Sequence, residues 1–249
     1  MSRVAVVTGG ASGIGLACGR RLAERGDRVT LWDRDGDAAR SRAEELCAKG
    51  YDVLGARVDV TDRPGIEAAL DQVRSEHGPV EIMVTSAGID GAVPFVEMTL
   101  AEWERVMLVN LTGTFHSLQA VVPDMIDNGW GRIVTISSSS AQSGAPRMAH
   151  YSASKGGVIA LTKTLAVELG PYGITVNTIP PRAIDTPMLR HSPSMQAPAD
   201  EVLARIAARM PVGRAGTPDD IGAACAFLCS EDAGYITGQV IGVNGGGYI

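Results

Sequence analysis

The sequence of 249 residues lacks the features that mark membrane, secreted and nucleic-acid-binding proteins. It contains no apolar run of ~18 residues or more, so no transmembrane helix is expected. Its first residues run straight into an apolar stretch, Arg3–Val7, without the layout of a signal peptide. The 22 basic residues are outnumbered by 28 acidic ones and form no basic run, which argues against binding to a phosphate backbone. These absences predict a cytoplasmic protein.

Cysteine is scarce, and aromatic residues make up only 4% of the chain. The four cysteines, Cys18, Cys47, Cys225 and Cys229, show no disulfide-framework spacing and are expected to be reduced thiols. Cys225 and Cys229 stand four apart, as in half of a metal site, but the four histidines are scattered singly along the chain. Burial as small apolar side chains is the favoured interpretation, and no metal site is predicted.

Glycine is abundant, with 30 residues, and it punctuates an alternation of short apolar and longer amphipathic segments. The apolar segments predict strands at Arg3–Thr8, Arg28–Trp32, Val53–Val60, Val80–Thr85, Arg132–Ser137, Ile174–Ile179 and Gln239–Val243. The amphipathic segments predict helices at Gly13–Arg25, Asp37–Lys49, Pro64–His77, Tyr151–Leu169 and Pro218–Ser230, with one long or broken helix over Leu100–Asn128.

Strands that are apolar throughout and alternate with helices are typical of a parallel sheet covered on both faces. Right-handed crossovers between such strands give the α/β class, with a Rossmann-type, doubly wound sheet. No linker interrupts the pattern, so residues 1–249 are predicted to form a single domain.

Residues 185–216 depart from this pattern. A loose run that contains proline leads into a helical stretch, Ala199–Met210, with an apolar stripe that includes Leu203 and Ile206. One interpretation is a surface excursion that packs this stripe on the core. The other is a mobile lid over the substrate end of a site at the carboxyl ends of the strands. The sequence leaves both interpretations open.

A glycine-rich turn, Thr8–Gly15, lies between the first strand and the first helix. Gly9, Gly13 and Gly15 allow a tight turn and a close approach of the backbone to a pyrophosphate. The N-terminus of the following helix offers free N–H groups and the positive end of its dipole to phosphate charge. A plain tight turn would use the same glycines, but the position between strand and helix favours a dinucleotide site.

Asp33 ends the second strand, 18 residues after Gly15. A carboxylate at that place accepts hydrogen bonds from the ribose 2′- and 3′-hydroxyls and repels a 2′-phosphate. A solvated turn acid is the other interpretation of Asp33. The neighbouring Arg34 favours the opposite cofactor, because a guanidinium can hold a 2′-phosphate. Asp33 carries more weight, so the sequence predicts NAD, with NADP as the less favoured alternative.

Two further loops are expected at the same edge of the sheet. Asp59 and Val60 end the third strand, and Ala87 and Gly88 follow the fourth. Asp59 is a candidate acceptor for an adenine amino group. Capping of the following helix, through Thr61 or Asp62, explains the same carboxylate about as well.

Tyr151 and Lys155 are four residues apart, a spacing that puts both side chains on one face of a helix. A phenol titrates at ~10, and a nearby ammonium is expected to lower that pKa, so the two can work as an acid–base pair. Alone, such a pair is more often a feature of a helix surface. The run Ser137–Ser140 follows the fifth strand and offers hydroxyls at the same edge, although a polar loop explains some of them. Asn110 is either a helix-bending hydrogen bonder or part of a water relay.

Over essentially its whole length the sequence resembles the short-chain dehydrogenase/reductase family. The T-G-x-x-x-G-x-G turn matches the family's cofactor motif, and the segments Ile184–Met188 and Tyr235–Gln239 are similar to the family's as well. The resemblance implies that the catalytic residues are Asn110, Ser138, Tyr151 and Lys155. Ser138 is chosen from the serine run because it lies thirteen residues before Tyr151, the usual separation in the family. The cofactor-binding candidates are Gly9, Ser12, Gly13, Ile14, Gly15, Asp33, Arg34, Asp59, Val60, Ala87, Gly88, Tyr151, Lys155, Ile184, Thr186 and Met188.

The resemblance implies hydride transfer between a nicotinamide cofactor and a secondary alcohol or ketone. Tyr151 is then the general acid and base, Lys155 lowers its pKa and holds the nicotinamide ribose, Ser138 positions the substrate oxygen, and Asn110 holds a water that connects Lys155 to solvent. An NADPH-dependent reductase of 3-oxoacyl thioesters, on acyl-carrier protein or CoA, is the alternative enzyme. A non-catalytic dinucleotide sensor or scaffold is the alternative of another class, which the complete Ser138, Tyr151 and Lys155 set disfavours. The resemblance alone implies a homotetramer.

Two positions depart from the family's pattern. Ser86 stands in a segment where the family has N-N-A-G, and Arg182 stands where a glycine commonly follows the proline after the sixth strand. Arg182 is interpreted either as a contact for an anionic group of the substrate or as a solvated side chain, with solvation the favoured interpretation.

The substrate end is expected to be lined by residues 144–150 and 185–210. Arg147, Arg190 and His191 carry the same two interpretations as Arg182. An apolar, adaptable pocket wall is indicated by Met148, Leu189 and Met195. An acyl thioester, a steroid and a small cyclic alcohol all stay open as substrates.

Overall fold

The structure is a computed structural model that describes residues 2–192 and 197–248. Within these ranges six strands are present: β1 (Val4–Thr8), β2 (Arg28–Asp33), β3 (Val53–Arg57), β4 (Ile82–Thr85), β5 (Gly131–Ile136) and β6 (Ile174–Ile179). They form one sheet in the order β3-β2-β1-β4-β5-β6, and every adjacent pair is parallel. The carboxyl ends of all six strands therefore meet at one edge of the sheet.

Ten α-helices occur in the same ranges: α1 (Gly13–Glu24), α2 (Gly36–Cys47), α3 (Arg63–Glu76), α4 (Leu100–Met107), α5 (Gly113–Asn128), α6 (Ser140–Ser143), α7 (Ala149–Leu169), α8 (Pro187–Arg190), α9 (Ala199–Ala207) and α10 (Pro218–Leu228). Among these described residues, no helix has both the length and the apolar character needed to cross a membrane.

The sheet is covered on both faces, as its apolar strands predict. Along β1, Ala5 and Val7 pack into a core with α1, α2 and α10, whereas Val4 and Val6 pack into a second core with α3, α5 and α7. Successive side chains of a strand point to opposite faces, so this division between two cores shows helices on both sides of the sheet. The predicted α/β fold with a doubly wound parallel sheet is confirmed.

The segment predicted as one long or broken helix is broken. Helix α4 begins at a capping box, in which Thr99 accepts a hydrogen bond from the N–H of Glu102 and the Glu102 carboxylate accepts one in return. A turn of π-helix, Leu108–Thr112, then separates α4 from α5. Asn110 lies within this turn and is completely buried. Turns of π-helix are rare and concentrate at functional sites.

The prediction of a last strand over Gln239–Val243 is wrong. Only an isolated parallel bridge joins Val240 to Thr178, with hydrogen bonds from the Thr178 N–H to the Gln239 carbonyl and from the Ile241 N–H to the Thr178 carbonyl. The segment therefore runs beside β6 without forming a ladder. The other predicted strands and helices are present with boundaries shifted by up to three residues: β3, for example, ends at Arg57 rather than Val60.

The cysteines follow the prediction of buried thiols. All four cysteines are free thiols. Cys18, Cys225 and Cys229 lie in the core on one face of the sheet, whereas Cys47 is exposed. Hydrogen bonds between neighbouring thiols, together with burial, hold the pKa of Cys225 and Cys229 well above the usual value. These groups stay protonated, as expected of small apolar core residues.

Candidate active site

A cavity of about 860 Å³ opens along the edge where the six strands end. Every predicted site residue lines it except Asn110. This grouping follows from the topology, because the loops after parallel strands converge at the same edge. The cavity has a glycine-rich end near β1 and β2 and a second end near Ser138 and Tyr151.

The turn between β1 and α1 is built for close backbone approach. Gly9 has a φ of +66°, and a Cβ on Gly15 would lie 2.2 Å from the Gly9 carbonyl oxygen, so neither position accepts a larger residue without movement. Ser12 is the N-cap of α1 but makes no capping hydrogen bond, and the first turn of the helix carries no acidic residue. The N–H groups of the first turn of α1 are therefore available to a phosphate, and no acidic side chain within that turn opposes its charge.

Asp33 ties the end of β2 to this turn. One of its carboxylate oxygens accepts a hydrogen bond from the Ala11 N–H at 3.1 Å, and the other accepts one from the Asp35 N–H at 3.1 Å. Each oxygen keeps a lone pair for a further donor. Asp33 and the neighbouring Arg34 both line the cavity, as predicted.

Asp59 lines the cavity, but its carboxylate is engaged by its own turn. It accepts hydrogen bonds from the backbone N–H of Thr61 at 2.9 Å and from the Thr61 hydroxyl at 2.7 Å, and these bonds lower its pKa. The N-cap of α3 is Asp62, whose side chain makes no capping hydrogen bond, so Asp59 acts at the start of this helix through Thr61. Val60 is buried against Gly113, where a Cβ would lie 2.6 Å from a Val60 methyl group.

Ala87 and Gly88 join the two ends of the cavity. The Thr8 hydroxyl, at the end of β1, accepts hydrogen bonds from the N–H groups of Ser86 and Ala87 at 3.1 Å each. A Cβ on Gly88 would lie 3.2 Å from Asn110 Oδ1 and 3.4 Å from Lys155 Nζ. A small residue at this position therefore lets the backbone pass close to two predicted catalytic side chains.

Asn110 lies outside the cavity wall, but its side chain is hydrogen-bonded to Ile89, which lines the cavity. Its side-chain oxygen accepts a hydrogen bond from the Ile89 N–H at 2.8 Å, and its amide nitrogen donates to the Ile89 carbonyl at 3.0 Å and to Ser154 Oγ at 3.1 Å. The side chain thus fixes the loop after β4 against helix α7. Of the two interpretations of the sequence, this geometry supports the hydrogen bonder in a distorted helix, and the water relay stays a prediction.

Tyr151, Lys155 and Ser138 meet at the second end of the cavity. Lys155 Nζ is buried, donates a hydrogen bond to the Ile136 carbonyl at 2.9 Å and lies 6.0 Å from the centre of the Tyr151 ring. Ser138 Oγ accepts hydrogen bonds from the Ser140 N–H at 3.2 Å and from the Ser140 hydroxyl at 2.9 Å. The Tyr151 phenol and the Ser138 hydroxyl are hydrogen-bonded to each other, so both can contact one substrate oxygen, with the Lys155 ammonium near the Tyr151 ring.

The prediction that the Lys155 ammonium lowers the pKa of Tyr151 is wrong when only the groups of the chain itself are considered. Burial raises the pKa of Tyr151 to about 12, and the hydrogen bond with Ser138 opposes this shift only in part. Burial lowers the pKa of Lys155 to about 8. Both shifts disfavour charge, because a group withdrawn from water loses most of the solvation of its charged form. Removal from water outweighs the attraction that the helix spacing suggested.

The sequence did not single out Asp90 and Arg105, and both line the cavity. The negative charge of Asp90 contributes to the raised pKa of Tyr151. It also partly offsets the lowering of the pKa of His150, the residue before Tyr151. Arg105 lies on α4, where its positive charge contributes to lowering the pKa of both Glu102 and His150. The position of Asp90 three residues after Ala87 was the available signal, since that loop follows β4 at the edge that carries the site.

The predicted lid region contributes Thr186, Met188 and Leu189 to the cavity wall, and Ile184 lines the cavity just before it. Arg190 instead forms ion pairs with Asp185 at 2.6 Å and Asp200 at 3.0 Å, which removes it as a candidate for an anionic substrate. Met148 also lines the cavity, whereas Met195 lies outside the described residues. Whether residues 185–216 move as a lid stays a prediction.

Comparison with known proteins finds similar sequences and structures over nearly the whole chain. Residues 9–247 match the family model described as enoyl-(acyl carrier protein) reductase. The chain is 39% identical to the (2S)-[(R)-hydroxy(phenyl)methyl]succinyl-CoA dehydrogenase subunit BbsD of Thauera aromatica over 98% of this chain and 96% of that protein. It is 40% identical to the acetoacetyl-CoA reductase of Cupriavidus necator over 98% and 97% of the two chains. An actinorhodin polyketide ketoreductase solved with NADPH superposes with a TM-score of 0.93, at 38% identity over 99% of this chain and 98% of that one.

Proposed function

The chain belongs to the short-chain dehydrogenase/reductase family and is an oxidoreductase that acts on CH–OH groups, and we propose that it uses NAD(H), with Tyr151 as its general acid and base. The observation that carries the proposal is the meeting of Ser138, Tyr151 and Lys155 in the same cavity as the glycine-rich turn and Asp33. When bound, the nicotinamide supplies or accepts the hydride.

Ketone reduction needs a proton donor next to the carbonyl oxygen. Because burial raises the pKa of Tyr151 to about 12, its phenol is protonated at neutral pH and is ready to donate. Ser138 lies within hydrogen-bonding distance of the same phenol and fixes the position of the substrate oxygen. The positive charge of the buried Lys155 ammonium stabilises the negative charge that develops on Tyr151 as its proton leaves. In alcohol oxidation the same proton moves in the opposite direction.

The residues at the other end of the cavity fit a dinucleotide. The free N–H groups at the start of α1 suit the pyrophosphate, and the carboxylate of Asp33 suits two ribose hydroxyls. Asp33 also places a negative charge where NADP carries its additional phosphate, which supports NAD. Arg34 supports the alternative, an NADPH-dependent reductase of 3-oxoacyl thioesters, and the similarity to an acetoacetyl-CoA reductase and to a ketoreductase solved with NADPH favours it as well.

Replacing Asp33 by alanine decides between these cofactors. We expect Asp33→Ala to lower kcat/KM for NADH by about 10- to 100-fold, because hydrogen bonds between the ribose and a charged group are lost, and to leave kcat/KM for NADPH equal or higher. Asp37→Ala is the matched control, since the Asp37 side chain is 96% exposed and lies outside the cavity. An unchanged ratio of the two kcat/KM values in Asp33→Ala would show that Asp33 does not select the cofactor.

The pH profile tests the charge of Lys155. Burial lowers the pKa of Lys155 to about 8, so its ammonium form predominates below that pH and is lost as the pH rises through it. The value of kcat/KM for NADH reports the titration of the free protein. It is therefore expected to fall above about pH 8 with the slope of one proton. A profile that stays level well above that pH would contradict a role for charged Lys155.

A further inference from the structure

Arg182 is a cation on the wall of the cavity that forms no ion pair in the described part of the chain. It lines the same cavity as Ser138 and Tyr151 and is half-buried. Within residues 2–192 and 197–248, its guanidinium takes part in no hydrogen bond and no ion pair. A guanidinium without a partner on the wall of a cavity can take one from a ligand that enters the cavity.

The backbone fixes Arg182 beside the predicted catalytic serine. The N–H of Ser139, the residue after Ser138, donates a hydrogen bond to the Pro181 carbonyl at 3.0 Å. The N–H of Gly216 donates to the Ala183 carbonyl at 3.2 Å, and Ala183 has a φ of +53°, in the left-handed region that non-glycine residues rarely adopt. Both neighbours of Arg182 are thus held, so the residue is presented to the site from a constrained turn.

The stem of Arg182 is packed as well. A Cβ on Gly247 would lie 2.8 Å from Arg182 Cδ and 2.6 Å from Met210 Sδ, so the arginine stem and the Met210 side chain cover the same glycine. Long cationic side chains commonly bury their methylene groups on apolar surface while the charged group stays free to bind. Packing of the stem reduces the rotamer entropy that Arg182 loses when its guanidinium binds a ligand.

The cavity wall holds two other arginines. The charge of Arg34 lowers the pKa of Asp59 near the glycine-rich turn, and Arg105 lies on α4 and lowers the pKa of Glu102. Of the three, Arg182 is the one that the hydrogen bond between Ser139 and Pro181 holds beside Ser138. A planar guanidinium binds a carboxylate through two parallel hydrogen bonds.

We propose that Arg182 binds a carboxylate of the substrate, so that the preferred substrates are hydroxy acids or oxo acids. The proposal rests on the oxidoreductase activity proposed for the same site. A phosphate of a CoA or carrier thioester is an oxyanion of similar chemistry. The carboxylate is favoured because Arg182 is held next to Ser139, within the reacting end of the cavity, whereas a carrier phosphate lies many bonds from the thioester carbonyl.

The test compares acids with their methyl esters. Acetoacetate, levulinate and 3-acetylbenzoate place the carboxylate at increasing distances from the ketone, and each is assayed with NADH beside its methyl ester. We expect the wild-type protein to prefer at least one acid over its ester. We expect Arg182→Leu to lower that acid-to-ester ratio of kcat/KM by about 10- to 100-fold, mainly through KM, and Arg182→Lys to restore part of it.

A matched control and a second pair of substrates identify the source of the effect. Arg209→Leu removes an exposed arginine outside the cavity wall and changes the net charge by the same amount, and it is expected to keep the wild-type ratio. Acetoacetyl-CoA and its N-acetylcysteamine analogue form the second pair. The proposal is overturned if Arg182→Leu keeps the acid-to-ester ratio, if it changes only the preference for CoA, or if its sole effect is weaker NADH binding.

Binding measurements separate this proposal from the proposed reaction. Calorimetric titration of the NADH-loaded Tyr151→Phe variant with each acid and ester needs no turnover. Tighter binding of an acid than of its ester, lost in the Tyr151→Phe/Arg182→Leu double variant, supports the carboxylate site even if no ketone of the panel is reduced. Equal or absent binding of acid and ester overturns it even if ketones are reduced.

Discussion

Replacement of Tyr151 by phenylalanine is expected to lower kcat for ketone reduction by about 10²-fold or more. Phenylalanine keeps the ring at the start of α7 and its packing, but it removes the hydroxyl that bonds Ser138 and donates the proton. Binding of NADH is expected to change little, because the glycine-rich turn and Asp33 lie at the other end of the cavity. Steady-state kinetics with NADH and a ketone substrate, together with a fluorescence titration of NADH, measure both quantities.

A tyrosine outside the site provides the control for this experiment. The Tyr235 side chain is fully exposed and does not line the cavity, so Tyr235→Phe is expected to keep wild-type kcat. If Tyr151→Phe retained near wild-type turnover, another group would have to supply the proton, and the reaction proposed for this site would lose its acid.

The second large effect is expected from Lys155→Met. Methionine preserves a long unbranched side chain in the buried space but removes the ammonium that donates to the Ile136 carbonyl and lies near the Tyr151 ring. Loss of a preorganised positive charge at the developing phenolate is expected to lower kcat by about 10²- to 10³-fold. The KM for NADH is expected to rise in parallel, if Lys155 also holds the nicotinamide ribose. Both parameters are read from the same steady-state assay.

The same helix offers a matched control for Lys155. Lys163 lies two turns further along α7, is exposed and does not line the cavity, so Lys163→Met is expected to leave kcat and KM unchanged. Thermal unfolding of the three proteins tests for a structural effect, and Lys155→Met is expected to unfold at or above the wild-type temperature because an apolar side chain replaces a buried charge. Wild-type kcat in Lys155→Met would exclude the proposed role of its charge.

The sequence predicted the sheet and the position of the site because both depend on local signals. Apolar strands and amphipathic helices each show in a short window of residues, and glycines such as Gly9 and Gly15 mark the turn between β1 and α1. The spacing of Tyr151 and Lys155 likewise follows from a helix that both residues share. Once the strands are parallel, their loops must meet at one edge, so the residues after each strand could be assigned to one cavity.

The errors share a cause, which is that they depend on neighbours far along the chain. The segment Gln239–Val243 has the composition of a strand, but it forms a single bridge to Thr178. The pKa of Tyr151 depends on how much of its surroundings excludes water, and the spacing to Lys155 carries no information about that burial.

The order of the strands has a consequence for how the chain folds as it leaves the ribosome. Strand β2 pairs with β1 and β3 then adds outside β2, while β4, β5 and β6 add one after another on the opposite side of β1. Every newly synthesised strand therefore joins an exposed edge, and no established pair has to open to admit a later one. The residues that carry Asp33 are thus synthesised before those that carry Ser138 and Tyr151, and β1 keeps an open edge for β4 until then.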